Sequence, residues 1–268
     1  MRRTAAALIA LAYAVGLLLA GCASSSAAGG ASRESSASGP SSAPVSGTVI
    51  VFAAASLKDA FTTLGQQFEA AHPGVKVVFN FGPSSGLATQ ITQGAPADVF
   101  ASASTKNMDQ VVTAGAAASP TSFASNVMEI AVPAKNPAAI TALSDLAKPG
   151  VKVAMCQSAV PCGVTAAKVF TNAKLTVTPV TQEVDVKAVL TKVTLGEVDA
   201  GVVYVTDVRA AGAKVKGIEI STDVNASTKY PIATLTKAPN KGTSQAFTDY
   251  ILSAEAASVL TADGFAKP

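Results

Sequence analysis

Small polar residues stand at the starts of two predicted helices, and they are the sequence's main candidates for chemistry. Ser56 follows an apolar run, and Asp59, three residues later, completes an S-x-x-D pattern typical of a capping box. Ser84 and Ser85 stand at a second such start. The first turn of a helix has unpaired backbone N–H groups and the positive end of the helix dipole, so it can hold an anion without a charged side chain. These serines therefore either bind an anion or only cap their helices.

The residues needed for most enzyme and metal chemistry are missing. The sequence has one histidine, His72, in a His-Pro-Gly turn that ends a predicted helix. Ser-His and Cys-His catalysis needs a base within reach of the nucleophile, and a lone turn histidine is a poor candidate. No C-x2-C, H-E-x-x-H or Walker phosphate loop occurs. We therefore predict a protein that is not an enzyme and needs no cofactor. The alternative is a lipid-anchored hydrolase with Ser56 or Cys162 as its nucleophile.

The elements that must position these residues alternate between strand and helix patterns. Residues 48–53 form an apolar run typical of a buried strand, and residues 57–71 carry apolar side chains at helical spacing. A strand at 75–81, a helix at 86–93 and a short strand at 98–101 follow. This β-α-β-α-β order predicts an α/β fold with a mostly parallel sheet.

The same pattern starts again in the second half of the chain. Predicted strands lie at 127–132, 151–155 and 200–205, with predicted helices at 164–171 and 186–193. After Tyr230-Pro231 come one more extended run, 232–236, and a final helix, 244–260. Two α/β units, followed by a C-terminal segment that returns to the first unit, predict two lobes joined by crossing strands.

The N-terminus indicates export. Arg2 and Arg3 precede an uncharged apolar stretch that ends in Leu-Ala-Gly-Cys22, so residues 1–22 are predicted to be a signal peptide. Cysteine after Leu-Ala-Gly resembles the lipobox of bacterial lipoproteins, which predicts lipidation of Cys22 and an extracytoplasmic protein anchored on the cell membrane. An ordinary cleaved signal with an incidental cysteine is the alternative.

The composition after the signal peptide separates a tether from a globular part. Residues 23–46 are almost entirely Ser, Ala, Gly and Pro, which predicts a flexible tether. The chain is 49% hydrophobic and 14% charged, as globular proteins are. Its formal charge of +3 is too small to favour nucleic acid binding.

Several segments match one known family. The stretches FAAASL, GPSSGLA and GAPADVFASA, at residues 52–57, 82–88 and 94–103, resemble segments of the molybdate-binding periplasmic proteins. Shorter matches follow in the family's order, at residues 160–163 (VPCG), 185–187 (DVK) and 201–204 (GVVY). The resemblance covers the chain from Thr48 to the C-terminus.

The family resemblance implies a fold as well as a ligand. It implies the two-lobed periplasmic-binding-protein fold of type II, in which each lobe is a mostly parallel sheet flanked by helices. The first lobe would comprise residues 47–126 and 231–268, and the second lobe residues 127–230.

The resemblance also implies which residues bind the oxyanion. Ser56 and Ser84 of the first lobe would contact it together with Cys162, Val186 and the Tyr204 hydroxyl of the second lobe. Pro83 replaces a serine usual in the family, so either Ser84 or Ser85 faces the ligand. Tyr204 has a second interpretation, since a tyrosine at the end of an apolar strand is often a core residue.

Two positions beside this site call for separate expectations. Relatives usually carry alanine where this chain has Cys162. In an oxidising compartment, with Cys22 lipidated, we expect Cys156 and Cys162 to pair in a disulfide. Lys187 is left out of the site, because single lysines on helices are usually solvated.

The resemblance implies an extracytoplasmic, monomeric protein that binds molybdate, and tungstate, and delivers it to the permease and ATPase of an ABC importer. Molybdenum would be bound only as the oxyanion. Another oxyanion such as sulfate stays open as the ligand, because a fold alone does not choose one. An iron-binding relative would use several tyrosines, and Tyr230 and Tyr250 lack matching motifs. An adhesive surface lipoprotein is a further alternative.

Overall fold

The computed structural model describes residues 45–268. The predicted signal peptide, the lipidation site Cys22 and all but the last two residues of the predicted tether lie outside the described residues. Within residues 45–268, no helix is both long and apolar enough to cross a membrane. Ser46, the last residue of the predicted tether, is held by the folded chain, because its backbone N–H donates to Thr243 Oγ1 at 3.2 Å.

The N-terminal elements alternate as predicted. They are β1 (Gly47–Ala54), α1 (Lys58–Ala71), β2 (Val75–Gly82), α2 (Ser84–Thr92), β3 (Val99–Ala101) and α3 (Thr105–Thr113). Strand β1 lies between β2 and β3, and all three strands are parallel. Helices cover both faces of this sheet, so β1 is buried on both sides from residue 51 onward. A strand buried on both faces has a continuous apolar sequence rather than an alternating one.

The central elements repeat this arrangement. They are β4 (Thr121–Pro133), β5 (Val153–Cys156), α4 (Pro161–Asn172), β6 (Thr181–Glu183), α5 (Val186–Thr194), β7 (Ala200–Tyr204), α6 (Val205–Ala211) and β8 (Val215–Glu219). Strand β5 lies parallel between β6 and β7, whereas β4 runs antiparallel to both β7 and β8.

The chain then returns to its first half through β9 (Ser227–Thr234), α7 (Lys241–Ile251) and α8 (Ala254–Ala262). The strand order is β2-β1-β3-β9-β4-β7-β5-β6, with β8 on the other edge of β4. The elements around β1–β3 form the first lobe, and those around β5–β7 form the second.

Strands β4 and β9 are the two connections between the lobes. Residues 121–127 of β4 pair antiparallel with β9, and residues 128–133 pair with β7 or β8. One strand of 13 residues therefore takes part in both lobes. The lobe boundaries predicted at 126/127 and 230/231 fall inside β4 and β9.

Each lobe has its own hydrophobic core. The second lobe's core is built wholly from residues between Met128 and Ile220. The main core of the first lobe combines residues 49–124 with residues 230–265 and includes the fully buried Phe61, Phe68 and Phe247. Burying one such aromatic side chain contributes about 1.5–3 kcal/mol relative to leaving it exposed.

Three predicted elements differ from the structure. The predicted helix 244–260 is two helices, because the Ser253 hydroxyl accepts from Ala256 N at 3.2 Å and starts α8. Strand β9 begins at Ser227 and contains Pro231, which lacks an N–H. Its partner strand shifts register between Ser122 and Ala124 at this point, and such irregularities accommodate proline. Strand β4 extends beyond the predicted 127–132 in both directions.

Candidate functional site

A small cavity lies between the two lobes at the carboxyl ends of β1, β2 and β7. All five residues predicted to bind the oxyanion line it: Ser56, Ser84, Cys162, Val186 and Tyr204. All five are at least 95% buried, since their exposed fractions run from 1% to 5%. The part of the cavity open to the centre of a water-sized sphere is about 20 Å³, which is room for about one water molecule. The two lobes are therefore nearly closed around a space suited to a small ion.

Helix starts surround this cavity. Residues at the beginnings of α2, α4 and α5, and of the short 3₁₀ turn Ala55–Leu57 that leads into α1, all line it. The first backbone N–H groups of a helix have no acceptor within the helix. Several such groups, together with the positive ends of the helix dipoles, therefore meet at one point between the lobes.

Ser56 does not cap a helix. The predicted capping box with Asp59 is wrong, because neither the 3₁₀ turn nor α1 has a side-chain cap and both side chains have other partners. The Ser56 hydroxyl lies 2.9 Å from the Tyr230 hydroxyl, and Asp59 pairs with Lys187. Tyr230, which had no motif to mark it, thus lies directly behind a predicted ligand residue.

Ser84 is likewise not a cap. It is the first residue of α2, and its Oγ accepts a hydrogen bond from Ala103 N at 2.9 Å. Since the oxygen accepts from the protein, the hydroxyl hydrogen stays available for a ligand. Ser84 is among the residues that line the cavity, whereas Ser85 is not one of them.

Tyr204 brings a buried hydroxyl to the cavity. It is the last residue of β7, and among the described residues its hydroxyl has no hydrogen-bond partner. The nearby Thr165 hydroxyl donates to Pro161 O at 2.9 Å instead. Burial raises the pKa of Tyr204 well above its ordinary value; Thr165 acts in the opposite direction, and the charge of Asp207 adds to the increase. The hydroxyl is therefore protonated at neutral pH and free to donate.

Cys156 and Cys162 form the expected disulfide, which closes the loop that leads into α4. Gly163 follows it, and a Cβ there would overlap Gln157 O. Only glycine lets the loop approach the helix so closely. The Cys162 backbone N–H is thus held at the cavity by the disulfide and by the packing of the next residue.

Asp185 is an acidic residue in the cavity lining. Its carboxylate caps α5, since Oδ1 accepts from Ala188 N at 2.9 Å. The lining therefore includes a hydrogen-bond acceptor as well as donors.

Lys187 is not the solvated lysine that was expected. Its Nζ lies 3.1 Å from Asp207 Oδ1 in its own lobe and 2.6 Å from Asp59 Oδ2 on α1, in the other lobe. Burial lowers the pKa of Lys187, but the two carboxylates outweigh it, and the net shift is upward. Burial raises the pKa of Asp207, against the effect of Lys187. The ion pair with Asp59 joins the lobes beside the cavity.

Among residues 45–268, His, Cys, Asp and Glu side chains form no group of three that could hold a metal ion. The residues that line the cavity present hydroxyl groups and the backbone N–H groups of helix starts.

Comparison with known proteins identifies the family. Residues 49–266 match the family model described as bacterial extracellular solute-binding protein. The chain belongs to this family. Among the relatives of this solute-binding protein is the molybdate-binding protein ModA of Mycobacterium tuberculosis, which is 43% identical over 85% of this chain and 90% of its own length. The resemblance stated from the sequence motifs is confirmed.

Solved structures confirm the fold of this solute-binding protein. The periplasmic molybdate-binding protein of Azotobacter vinelandii superposes with a TM-score of 0.74 at 21% identity, over 82% of this chain and 99% of that one. The sulfate-binding protein SubI of Mycobacterium tuberculosis superposes with a TM-score of 0.72 at 18% identity, over 81% of this chain and 86% of that one. The predicted two-lobed α/β fold of the type II binding proteins is therefore confirmed.

Proposed function

We propose that this solute-binding protein binds molybdate, and tungstate, and delivers the oxyanion to the permease and ATPase of an ABC importer. The observation that carries the proposal is the convergence of five buried residues, from both lobes, on one small cavity. Ser56 and Ser84 of the first lobe would meet the anion on one side. Cys162, Val186 and Tyr204 of the second lobe would meet it on the other. The 43% identity to a protein named molybdate-binding ModA supports the choice of ligand.

The donors in the cavity suit a small dianion. The Ser84 and Tyr204 hydroxyls have hydrogens to donate, and first-turn N–H groups of α4 and α5 supply others. Hydrogen bonds to a charged acceptor are about twice as strong as neutral ones. Uncharged donors also avoid the large cost of removing full charges from water on binding. Of the two serines in the second loop, we propose that Ser84 contacts the ligand.

Closure of the lobes would capture the anion. A ligand that touches both lobes favours the closed arrangement over an open one. Strands β4 and β9 connect the lobes, and the Lys187–Asp59 ion pair bridges them in the closed arrangement. We propose that the closed protein is the form presented to the permease.

Selectivity would come from the size of the cavity and from the protonation state of the anion. Molybdate and tungstate have longer metal–oxygen bonds than the sulfur–oxygen bonds of sulfate, so a cavity fitted to them holds sulfate loosely. Phosphate keeps a proton near neutral pH, and that proton needs an acceptor. In the lining, Asp185 Oδ1 is engaged as the cap of α5, so only the other oxygen of this carboxylate could accept that proton.

The remaining expectations form part of the same proposal. The protein would act outside the cytoplasm as a monomer, anchored through lipid on Cys22, without a cofactor and without enzymatic activity. The position of His72 supports the last point. It lies just after the end of α1, whose 14 residues span about 21 Å from the cavity side, so His72 is too far away to activate Ser56.

Titration calorimetry on the chain from residue 23 onward tests the proposal. Molybdate, tungstate, sulfate and phosphate are titrated in parallel. One-to-one binding of molybdate and tungstate with no response to sulfate is expected. Strong sulfate or phosphate binding would overturn the choice of ligand while leaving anion binding in place. No response to any of the four would refute the function and favour the hydrolase or adhesive alternatives.

A further inference from the structure

Tyr230 lies behind the cavity wall, where the two lobes meet. It belongs to β9, one of the two connecting strands, and its side chain is fully buried. Its hydroxyl lies 2.9 Å from Ser56 Oγ. Tyr230 is not among the residues that line the cavity, so its hydroxyl can act on a ligand only through Ser56.

A second buried side chain, Asn126 of β4, lies in the same region between the lobes. Val127 N donates to Asn126 Oδ1 at 3.0 Å, and Asn126 Nδ2 donates to Thr206 Oγ1 at 2.8 Å. These bonds fix the amide with its oxygen toward Val127 N and its NH2 group toward Thr206. The pKa of Tyr230 lies well above its ordinary value, mainly because of burial and secondly because of Tyr204, while hydrogen bonding by Ser56 and Asn126 acts in the opposite direction.

A phenol hydroxyl has one hydrogen to give. If Ser56 donates its own hydrogen to the anion, the hydrogen shared by the two hydroxyls must come from Tyr230 and point to Ser56 Oγ. The oxygen of Ser56 is then occupied as an acceptor. The hydrogen of Ser56 is left pointing away from Tyr230.

We propose that Tyr230 is a positioning residue for anion binding, which directs the hydroxyl hydrogen of Ser56 into the cavity. This inference rests on the proposed function and deepens it. Ser56 held in this way donates to an oxyanion and is poorly placed to accept a proton from one. The arrangement therefore favours a fully deprotonated anion such as molybdate.

Packing alone does not require the hydroxyl. The Tyr230 ring contacts the rings of Phe265, Phe123 and Tyr204, with centroids 5.3, 6.3 and 6.4 Å away. A phenylalanine would keep all three contacts, so Tyr230→Phe removes the hydroxyl without opening a cavity in the core. The change thus separates a positioning role from a structural one.

The experiment is a double-mutant cycle on the chain from residue 23 onward, with molybdate binding measured by calorimetry. Its members are the wild type, Tyr230→Phe, Ser56→Ala and the double variant. Tyr250→Phe is the matched control, because it loses a hydroxyl that donates to Gln67 Oε1 at 2.9 Å on the exterior of the same lobe.

We expect Tyr230→Phe to weaken molybdate binding about tenfold, equivalent to about 1.4 kcal/mol, when Ser56 is present. In the Ser56→Ala background the same change should alter the dissociation constant less than about twofold, since pairs that act as a unit are not additive. Tyr250→Phe should leave the dissociation constant unchanged. A merely structural role for the hydroxyl would lower stability without making its effect on binding depend on Ser56.

The outcomes separate the two proposals. A wild-type chain that binds none of the anions refutes the proposed function, and this inference with it. A wild-type chain that binds molybdate, with the same Tyr230→Phe loss in both backgrounds or no loss in either, refutes the inference alone.

Discussion

Replacing Tyr204 by phenylalanine should separate affinity from stability. The Tyr204 hydroxyl is buried and has no hydrogen-bond partner among the described residues, while it faces the cavity. If it donates to the bound anion, its removal forfeits a hydrogen bond to a charged group, which is worth about 1.5–3 kcal/mol. The dissociation constant for molybdate should therefore rise roughly 10- to 150-fold.

The ligand-free protein should not be destabilised by this change. No donor or acceptor within the described protein loses a partner, and a buried unpaired hydroxyl itself costs about 1–3 kcal/mol. The melting temperature without ligand should therefore be equal to that of the wild type or higher. Calorimetric titration gives the affinity, and differential scanning calorimetry with and without molybdate gives the stability.

The two measurements test different steps of the reasoning. Wild-type affinity in Tyr204→Phe would show that the hydroxyl does not contact the ligand. A ligand-free melting temperature lower by more than about 2–4 °C, the shift expected for about 1 kcal/mol in a chain of this size, would show that the hydroxyl has a partner inside the protein. Tyr250→Phe again serves as the control and should change neither quantity.

Three further outcomes are expected. Asp59→Asn removes the ion pair with Lys187 between the lobes, and since exposed pairs contribute about 0.2–1 kcal/mol, molybdate should bind up to about fivefold more weakly in calorimetry. This difference should shrink in 1 M salt, where the Debye length is about 3 Å, and an effect insensitive to salt would contradict the ion-pair explanation. Replacing both Cys156 and Cys162 by serine removes a disulfide that contributes at most about 2–3 kcal/mol to stability, so the melting temperature should fall by several degrees. Two reactive thiols in the oxidised wild type would refute the pairing. The pKa of Asp145 is held below its ordinary value by hydrogen bonds from a nearby lysine and two backbone N–H groups. Its contribution to stability is therefore present above about pH 4 and lost as the pH falls further. Asp145→Asn should be less stable than the wild type in urea at pH 7 and approach it near pH 2, whereas a constant difference would exclude this carboxylate as the cause.

Local sequence signals were enough to find part of the site. Ser56 and Ser84 stand where an apolar strand gives way to a helical pattern, and the structure has both at the cavity. The capping alternative is wrong at both serines, because a serine at a helix start has the same local pattern whether its hydroxyl bonds to the helix or to a distant residue. Tyr230 is 174 positions away in sequence, and no local pattern links the two.

Other parts depended on the family resemblance or were missed. A valine at a helix start, such as Val186, carries no chemical signal of its own, because its contribution would come from its backbone N–H. Lys187 was expected to be solvated. Its partner Asp207 could not be identified from the sequence, because the two residues come together only when α5 and α6 pack. Asn126 was also missed, because a buried amide on an apolar strand acquires its partners only in the folded protein. The ligand roles of the five predicted site residues remain predictions.

The return of the chain through β9 also sets an order of assembly. The core of the second lobe comes from one continuous stretch, Met128 to Ile220, so it can form as soon as that stretch has emerged. The core of the first lobe needs Tyr230, Phe247 and Phe265 beside residues near the beginning of the chain. The core of the first lobe can therefore be completed only after residues 230–265 have been made, so the part of the protein that is made first completes its fold last.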